Sequence, residues 1–370
     1  MRKILLISSL VVLSIIGLNK PVFSQVDLYL DDLNVYVSAY GRIAFYSLPE
    51  EVRQQYKMAL LVGTGSDTVF DLENDLEVEE ETQLISNPVF SDYEIYGSYN
   101  NDYSGEPPDV LEKQTLYCWS DLSAVLVKYT VVNRQTGSMD AKMGIEVIPQ
   151  PDGEYGYDTV SYNETNKVIR VHRGGVNLGY KLLSHNLESL YSFEYFDGYK
   201  EDSNYWTWLN NGSIMSEYVS DSDEGAVFIT SQSFSNIAPG DSVTFYYAVS
   251  VGDNETEMLA GINAIHAKYN NIVSVESDYN NIPSNFVLEQ NYPNPFNPAT
   301  KISFGLPERS NVALKIFNAL GQQVAELVNG SLEAGTYSYN FDATSLTSGI
   351  YFYSLQTDAG VVTKKMTLIK

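Results

Sequence analysis

Apolar and polar positions alternate with a period of two along most of the chain. Val312, Leu314 and Ile316 are interleaved with Ala313, Lys315 and Phe317, and Tyr337, Tyr339 and Phe341 repeat the pattern, as do Ile350 and Phe352. Period two places alternate side chains on opposite faces of a strand. Breakers separate these runs at Asn318-Ala319-Leu320-Gly321, Asn329-Gly330, Ala334-Gly335, Ser348-Gly349 and Asp358-Ala359-Gly360, at the spacing of hairpin turns in a small antiparallel sandwich. Upstream, Ala124–Val132 closes at Asn133, and Ser242–Val249 opens after the turn Pro239-Gly240-Asp241; both read as core strands. The pattern predicts an all-β protein, with a large antiparallel β-sandwich body followed by a small immunoglobulin-like β-sandwich.

Helical spacing is rare. Asn254 can cap a helix with Glu257 three residues on, and Leu259, Ile262, Ile265 and Tyr269 follow on one face. A shorter helix is expected over residues 204–210, with Trp206 and Leu209 on one side. Strands do not alternate with helices, which argues against a doubly wound nucleotide-binding sheet.

Residues 1–24 have the three parts of an export signal: Arg2 and Lys3, an apolar stretch from Ile4 to Leu18, and a polar segment ending Val22-Phe23-Ser24. The Sec translocon is therefore an expected partner. No later apolar run is long enough for a membrane span, so no integral membrane segment is expected after cleavage. Charge then divides the chain. Residues 282–370 carry six acidic and six basic side chains, whereas residues 25–281 carry 41 acidic against 13 basic. The break falls at the aperiodic stretch Ser277–Ser284, giving a body over 25–275, a linker over 276–284 and a tail unit over 285–370. Formal charge is −25 at pH 7, which would repel a nucleic-acid backbone. Cys118 is the sole cysteine and excludes an internal disulfide; its apolar setting predicts a buried, inert thiol.

The tail carries the most specific motif. Gln290-Asn291-Tyr292-Pro293-Asn294-Pro295-Phe296-Asn297-Pro298-Ala299-Thr300 precedes the strands, and the chain closes with Gly349-Ile350-Tyr351 and then Lys364, Lys365 and Lys370. This arrangement resembles the type A C-terminal sorting domain of the type IX secretion system. The resemblance implies a Bacteroidota-like source, recognition by the type IX machinery, transport across the outer membrane, and a product that is surface-attached or released. It also implies that the proline-rich segment forms an extended lead and that the terminal lysines supply a readable charge. The body resembles, far more loosely, β-sandwich modules that accompany such tails. Three triplets, Asp67-Thr68-Val69, Asp158-Thr159-Val160 and Asp241-Ser242-Val243, resemble the O-glycosylation acceptor of the same bacteria.

The body contains no HExxH, GxSxG, Walker loop, GxGxxG or paired CxxC, so the motif-based enzyme classes lack their minimal groups. His172, His185 and His266 are scattered. Arg170 and His172 fall on one strand face as a positive spot suited either to binding a carboxylate or sulfate or to neutralising acidic neighbouring strands. Seven carboxylates between Asp71 and Glu81 suggest a solvated acidic loop, and Asp221, Asp223 and Glu224 are weak candidate ligands for calcium, the one cofactor the composition suggests. Aromatic content is more informative: 24 of 29 tyrosines lie between residues 25 and 281, joined by Trp119, Trp206 and Trp208. Flat rings with polar edges suit sugar faces or protein partners, so Trp206 and Trp208 are the candidate ligand platform and a glycan or a surface protein the candidate partner. These readings together describe an exported surface or released protein with a binding or structural role. The rival is a secreted hydrolase of polysaccharide or protein.

Overall fold

The structure, a computed structural model, describes residues 24–280, 286–307, 309–332 and 335–370. Residues 1–23, which hold all but the last residue of the expected export signal 1–24, and residues 281–285 of the expected linker lie outside the described residues. The chain divides into two compact units between Tyr269 and Asn270.

Both body sheets are antiparallel. In the first, the order is Val26–Tyr29, Leu33–Val37, Ile43–Ser47, Val52–Gly65, Met139–Pro149, Ala226–Ile237, Ser189–Glu194, with Thr68–Phe70 beside Val52–Gly65. In the second it is Glu217–Val219, Thr159–Asn163, Val168–Arg173, Val176–Leu182, Ser242–Gly252, Ala124–Asn133, Val110–Cys118, Tyr93–Asn100, Glu77–Leu84. Their facing sides interdigitate in one core that includes Val35, Met58, Leu60, Val62, Ile145, Val147 and Phe228 from one sheet and Leu116, Val125, Val127, Tyr180 and Val249 from the other. Cys118 belongs to this core and burial pushes its thiol up, as its apolar neighbours predicted.

The first sheet is also covered on its other face. Leu61, Val69, Ile148, Val227 and Ile229 point away from the main core and meet Phe193, Tyr199, Tyr205, Trp208 and Leu209 in a second apolar cluster. The last three sit on helix α1, Asp202–Leu209. Burial on both faces explains the unbroken apolar run Met58–Val62, because neither side of that strand meets water.

Helix α2, Glu255–Asn280, starts as its sequence suggests. Asn254 Oδ1 accepts the Glu257 N–H at 3.0 Å, and Glu257 Oε2 accepts the Asp253 N–H at 3.2 Å. Met258, Ile262, Ile265 and Ile272 are its buried positions. The helix continues through residues 276–280, where the polar composition predicts linker. No glycine or proline interrupts the chain between Gly261 and Pro283, so nothing in that segment stops a helix. The second half of the acidic run differs from the expected loop: Glu77–Leu84 is an edge strand on which Glu79, Glu80 and Glu81 have partners. Arg134 lies 2.9 Å from Glu79, and Ser98 donates to Glu80 at 3.0 Å.

The tail unit pairs a three-stranded sheet, Val287–Leu288, Ala299–Leu306 and Gly335–Asp342, with a four-stranded one. The latter runs in the order Gln323–Leu332, Ser310–Asn318, Gly349–Thr357, Gly360–Leu368. Ile302, Phe304, Leu306, Leu314, Ile316, Phe341, Tyr353, Leu355 and Met366 fill its interior.

Candidate functional site

The outer layer of the first sheet is built around a register fault. Pro149 pairs with Gln55 and Ile148 with Lys57, so Tyr56 is an extra residue opposite one step of the neighbouring strand. Such a bulge twists the strand locally and re-aims its side chains. Gln55 turns into the main core, where its Oε1 accepts the Tyr180 hydroxyl at 2.7 Å, while Tyr56 joins the outer aromatic cluster.

Lys57 follows and is fully buried. Its Nζ lies 2.6 Å from Glu146 Oε2 and 3.0 Å from Glu73 Oε1. Glu146 sits mid-strand between Ala59 and Ile229, and it also accepts hydrogen bonds from Tyr199 and Tyr205, the latter at 3.2 Å. Burial drives the Lys57 pKa down, but the two carboxylates outweigh it and hold the ammonium above its ordinary range. Glu73 is a turn residue beside Asp71, whose Oδ1 accepts the N–H groups of Glu73 at 2.7 Å and Asn74 at 3.1 Å. Burial raises Glu73, yet Lys57 and Lys200 more than offset this and hold its carboxyl below the ordinary range. Glu73 thus carries charge from the sealed cluster to the surface.

At that surface lies a cleft of about 580 Å³ lined by Tyr40, Tyr56, Tyr103, Arg42, Glu73 and Glu77, with Ser38, Leu72 and Leu76. Tyr103 is 71% exposed and Tyr40 43%. Tyr56 also borders a second hollow of about 340 Å³ with Ile148, Tyr155, Tyr195, Asp223 and Glu224. Tyr155 meets the Tyr56 ring edge-on at 6.3 Å, and the guanidinium carbon of Arg42 lies 4.7 Å from the Tyr56 ring centre. Rings, hydroxyls, a fixed carboxylate and a guanidinium therefore face one open space. No local motif marks this constellation, because its members come from separate strands and turns. The legible signal is a lysine at the head of the apolar run of one strand and a glutamate inside that of another.

Trp208 is only 8% exposed and stacks on Phe193 at 4.0 Å, so its faces are taken up by the outer cluster. Trp206, expected beside Leu209, is half-buried and packs over Gly63, whose missing side chain makes the room. Asp221, Asp223 and Glu224 are exposed, and among the described residues no three His, Cys, Asp or Glu side chains group to hold a metal ion. Arg170 pairs with Glu255 at 2.8 Å, as a neutralising role requires. Burial holds His172, His185 and His266 below the ordinary imidazole range, with Arg170 and Lys181 adding repulsion at His172 and His266. Of the three triplets, Asp241-Ser242 is exposed, Thr68 and Thr159 are half-buried, and Asp158 is buried.

In the tail, the proline-rich segment is fastened rather than extended. Tyr292 and Lys301 exchange both backbone hydrogen bonds at 3.0 Å. Phe296 is buried; its N–H donates to Thr367 and its carbonyl accepts from Ile369, each at 3.0 Å. Asn294 Oδ1 accepts the Thr367 N–H at 2.9 Å, while the Asn291 side chain donates to the Pro293 carbonyl and the Thr300 hydroxyl. The physical reason is that the proline backbone carbonyls and the flanking Asn and Thr groups need partners once Phe296 is buried. Pro298 accepts the Ala343 N–H at 2.9 Å, and Tyr351 is buried with its hydroxyl on Thr347. Asn297, Gly349, Ile350, Lys365 and Lys370 are exposed, and Lys364 half-exposed. The two ends of the motif thus form one surface.

Residues 290–370 match the family described as the secretion system C-terminal sorting domain. This part of the chain is a type IX sorting domain, which engages the secretion machinery and directs export to the outer-membrane surface or the extracellular space. A comparison with curated proteins finds no match. Among solved structures, a bacterial glucoamylase complexed with acarbose aligns at 11% identity and TM-score 0.48, over 69% of this chain and 36% of that one. A polysaccharide lyase aligns at 8% identity and TM-score 0.36, over 93% and 47%. A GalM/aldose epimerase homologue from C. elegans aligns at 8% and 0.36, over 63% and 100%. The chain spans about a third of the glucoamylase and about half of the lyase. Among the described residues, no helix is long and apolar enough to cross a membrane.

Proposed function

We propose that the exported protein is a binding module that holds a glycan in the cleft of Tyr40, Tyr56 and Tyr103. The observation that carries this reading is the exposure of two tyrosine rings beside a carboxylate held ionised by two buried or half-buried lysines. Sugar rings present apolar faces and hydroxyl edges, and a stiff aromatic wall next to fixed hydrogen-bonding groups complements both. The same cleft bears on the rival activity, hydrolysis of polysaccharide or protein, since Glu73 and Glu77 both line it. Lys57 and Lys200 keep Glu73 ionised, which suits a base or an acceptor and not a proton donor. Binding is therefore the reading we adopt.

The test is thermal melting of the purified full chain against a glycan panel, because a ligand that binds only the folded state raises Tm by linkage. A selective, saturable rise supports the module. No rise with any glycan, at concentrations where known glycan-binding modules respond, refutes it.

A further inference from the structure

Five arginines lie in the body, and their partners divide them. Arg134 pairs with Glu79 at 2.9 Å and Arg170 with Glu255 at 2.8 Å, while Arg173 donates to the Tyr155 carbonyl at 2.8 Å. Arg42 and Arg53 are different. Both guanidinium groups stand over the ring of Tyr56, at 4.7 Å and 5.5 Å from its centre. Arg53 is further anchored on the Tyr46 hydroxyl at 3.2 Å and Gln150 Oε1 at 3.3 Å. Among the described residues neither has a carboxylate within ion-pair distance, in a chain that carries 47 acidic side chains. Among the described residues Arg42 makes no side-chain hydrogen bond, and it lines the tyrosine cleft, so its donors face that space.

Resting on the glycan-binding reading, we propose that this cleft takes an acidic saccharide, whose carboxylate or sulfate group is held by Arg42 while its ring lies against the tyrosines. A guanidinium fork matches the paired oxygens of either anion, and stacking on Tyr56 fixes the plane of the fork before the ligand arrives. Arg53 adds positive potential from beyond Tyr56. Of the cleft carboxylates, Glu73 is matched by Lys57 and Lys200, which leaves Glu77 as the opposing charge. The overall negative charge does not forbid a short oligosaccharide, since charges beyond about 8 Å are largely screened at physiological salt.

The experiment compares equilibrium binding of the full chain to oligogalacturonate and to its methyl ester, and to a chondroitin sulfate oligosaccharide and its desulfated form. The sulfate pair and the carboxylate pair separate the two sources of the anion. Expected is binding of at least one charged member about tenfold tighter than its neutral partner, lost by about tenfold in Arg42→Gln. Arg42→Lys, which keeps the charge and loses the fork, falls between. Glu77→Gln strengthens binding, and Lys113→Gln, which removes one positive charge as Arg42→Gln does but at an exposed site off the cleft, leaves it unaltered. Equal binding of charged and neutral partners, or an unaltered affinity in folded Arg42→Gln and Arg42→Lys, overturns the acidic-saccharide assignment while the cleft reading stands. Absence of binding to every charged and neutral glycan overturns both.

Discussion

Lys57 Nζ and Glu146 Oε2 lie 2.6 Å apart with no solvent access to either side chain, between a β-sheet and the aromatic layer that covers it. A buried ion pair of this kind is costly to break from one side, because the remaining charge loses both water and partner. Lys57→Met is expected to destabilise the chain by about 3–5 kcal/mol, whereas Lys57→Met with Glu146→Leu together costs far less. Chemical denaturation of the single and double variants measures the difference. A double variant as unstable as the single would show that shape, not charge, sets the cost.

Stability should rise as pH falls from 9 towards 5. Burial raises Glu112 to about 8 and raises Asp71 and Asp158 to about 7, so between the unfolded carboxyl range and these values the folded state binds more protons than the unfolded one. Stability then declines with increasing pH across that window. Below it the sign reverses, because Glu73 and Glu194 are held below their ordinary range and contribute stability that is lost as they protonate. Tm against pH is expected to peak near pH 5, just above the ordinary carboxyl range, and Glu112→Gln is expected to flatten the alkaline limb. A Tm that climbs steadily from pH 5 to 9 would contradict the assignment.

The two tryptophans of helix α1 are expected to behave differently. Trp208 stacks on Phe193 at 4.0 Å with the near-parallel Tyr191 ring 6.3 Å away, so Trp208→Ala should cost about 3–5 kcal/mol and lower Tm sharply. Trp206→Ala, at a half-buried position, should cost less. Differential scanning calorimetry of both variants separates them, and equal losses would place Trp206 in the same buried layer.

Phe296 fastens the proline-rich segment to the terminal strand, through its buried ring and its backbone bonds to Thr367 and Ile369. Removing residues 290–370 is expected to leave the protein in the periplasm. Phe296→Ala, which loosens the shared surface of the two motif ends, is expected to reduce surface delivery several-fold. Cell fractionation reads both. Normal surface appearance of the truncated chain would refute the role of the tail.

Period-two alternation made the tail strands around Leu314, Tyr339 and Phe352 legible, and the apolar runs 124–132 and 242–249 marked two core strands of the body, since each has one face or both against a core. Asn254 and Glu257 announced helix α2 through a cap that the geometry reproduces. Other features were out of reach for physical reasons. The bulge at Tyr56 depends on the pairing of neighbouring strands, so nothing local to the strand announces it. The Lys57 cluster joins residues 57, 73, 146, 199, 200 and 205, and composition alone cannot bring a lysine and a glutamate from different strands together. Trp206 and Trp208 looked alike because both are large aromatics. Two positions along a helix is more than half a turn, and it sends one ring into the buried layer and the other to its edge.

The central claim is that the tyrosine cleft is the ligand site. Tyr103 tests it most directly, because a ring that is 71% exposed adds little to the fold. Isothermal titration of the full chain and of Tyr103→Ala with the glycan that raises Tm most is the decisive measurement. The account predicts an affinity about tenfold weaker in Tyr103→Ala at an unaltered Tm. The same affinity in both proteins would place the ligand elsewhere and contradict it.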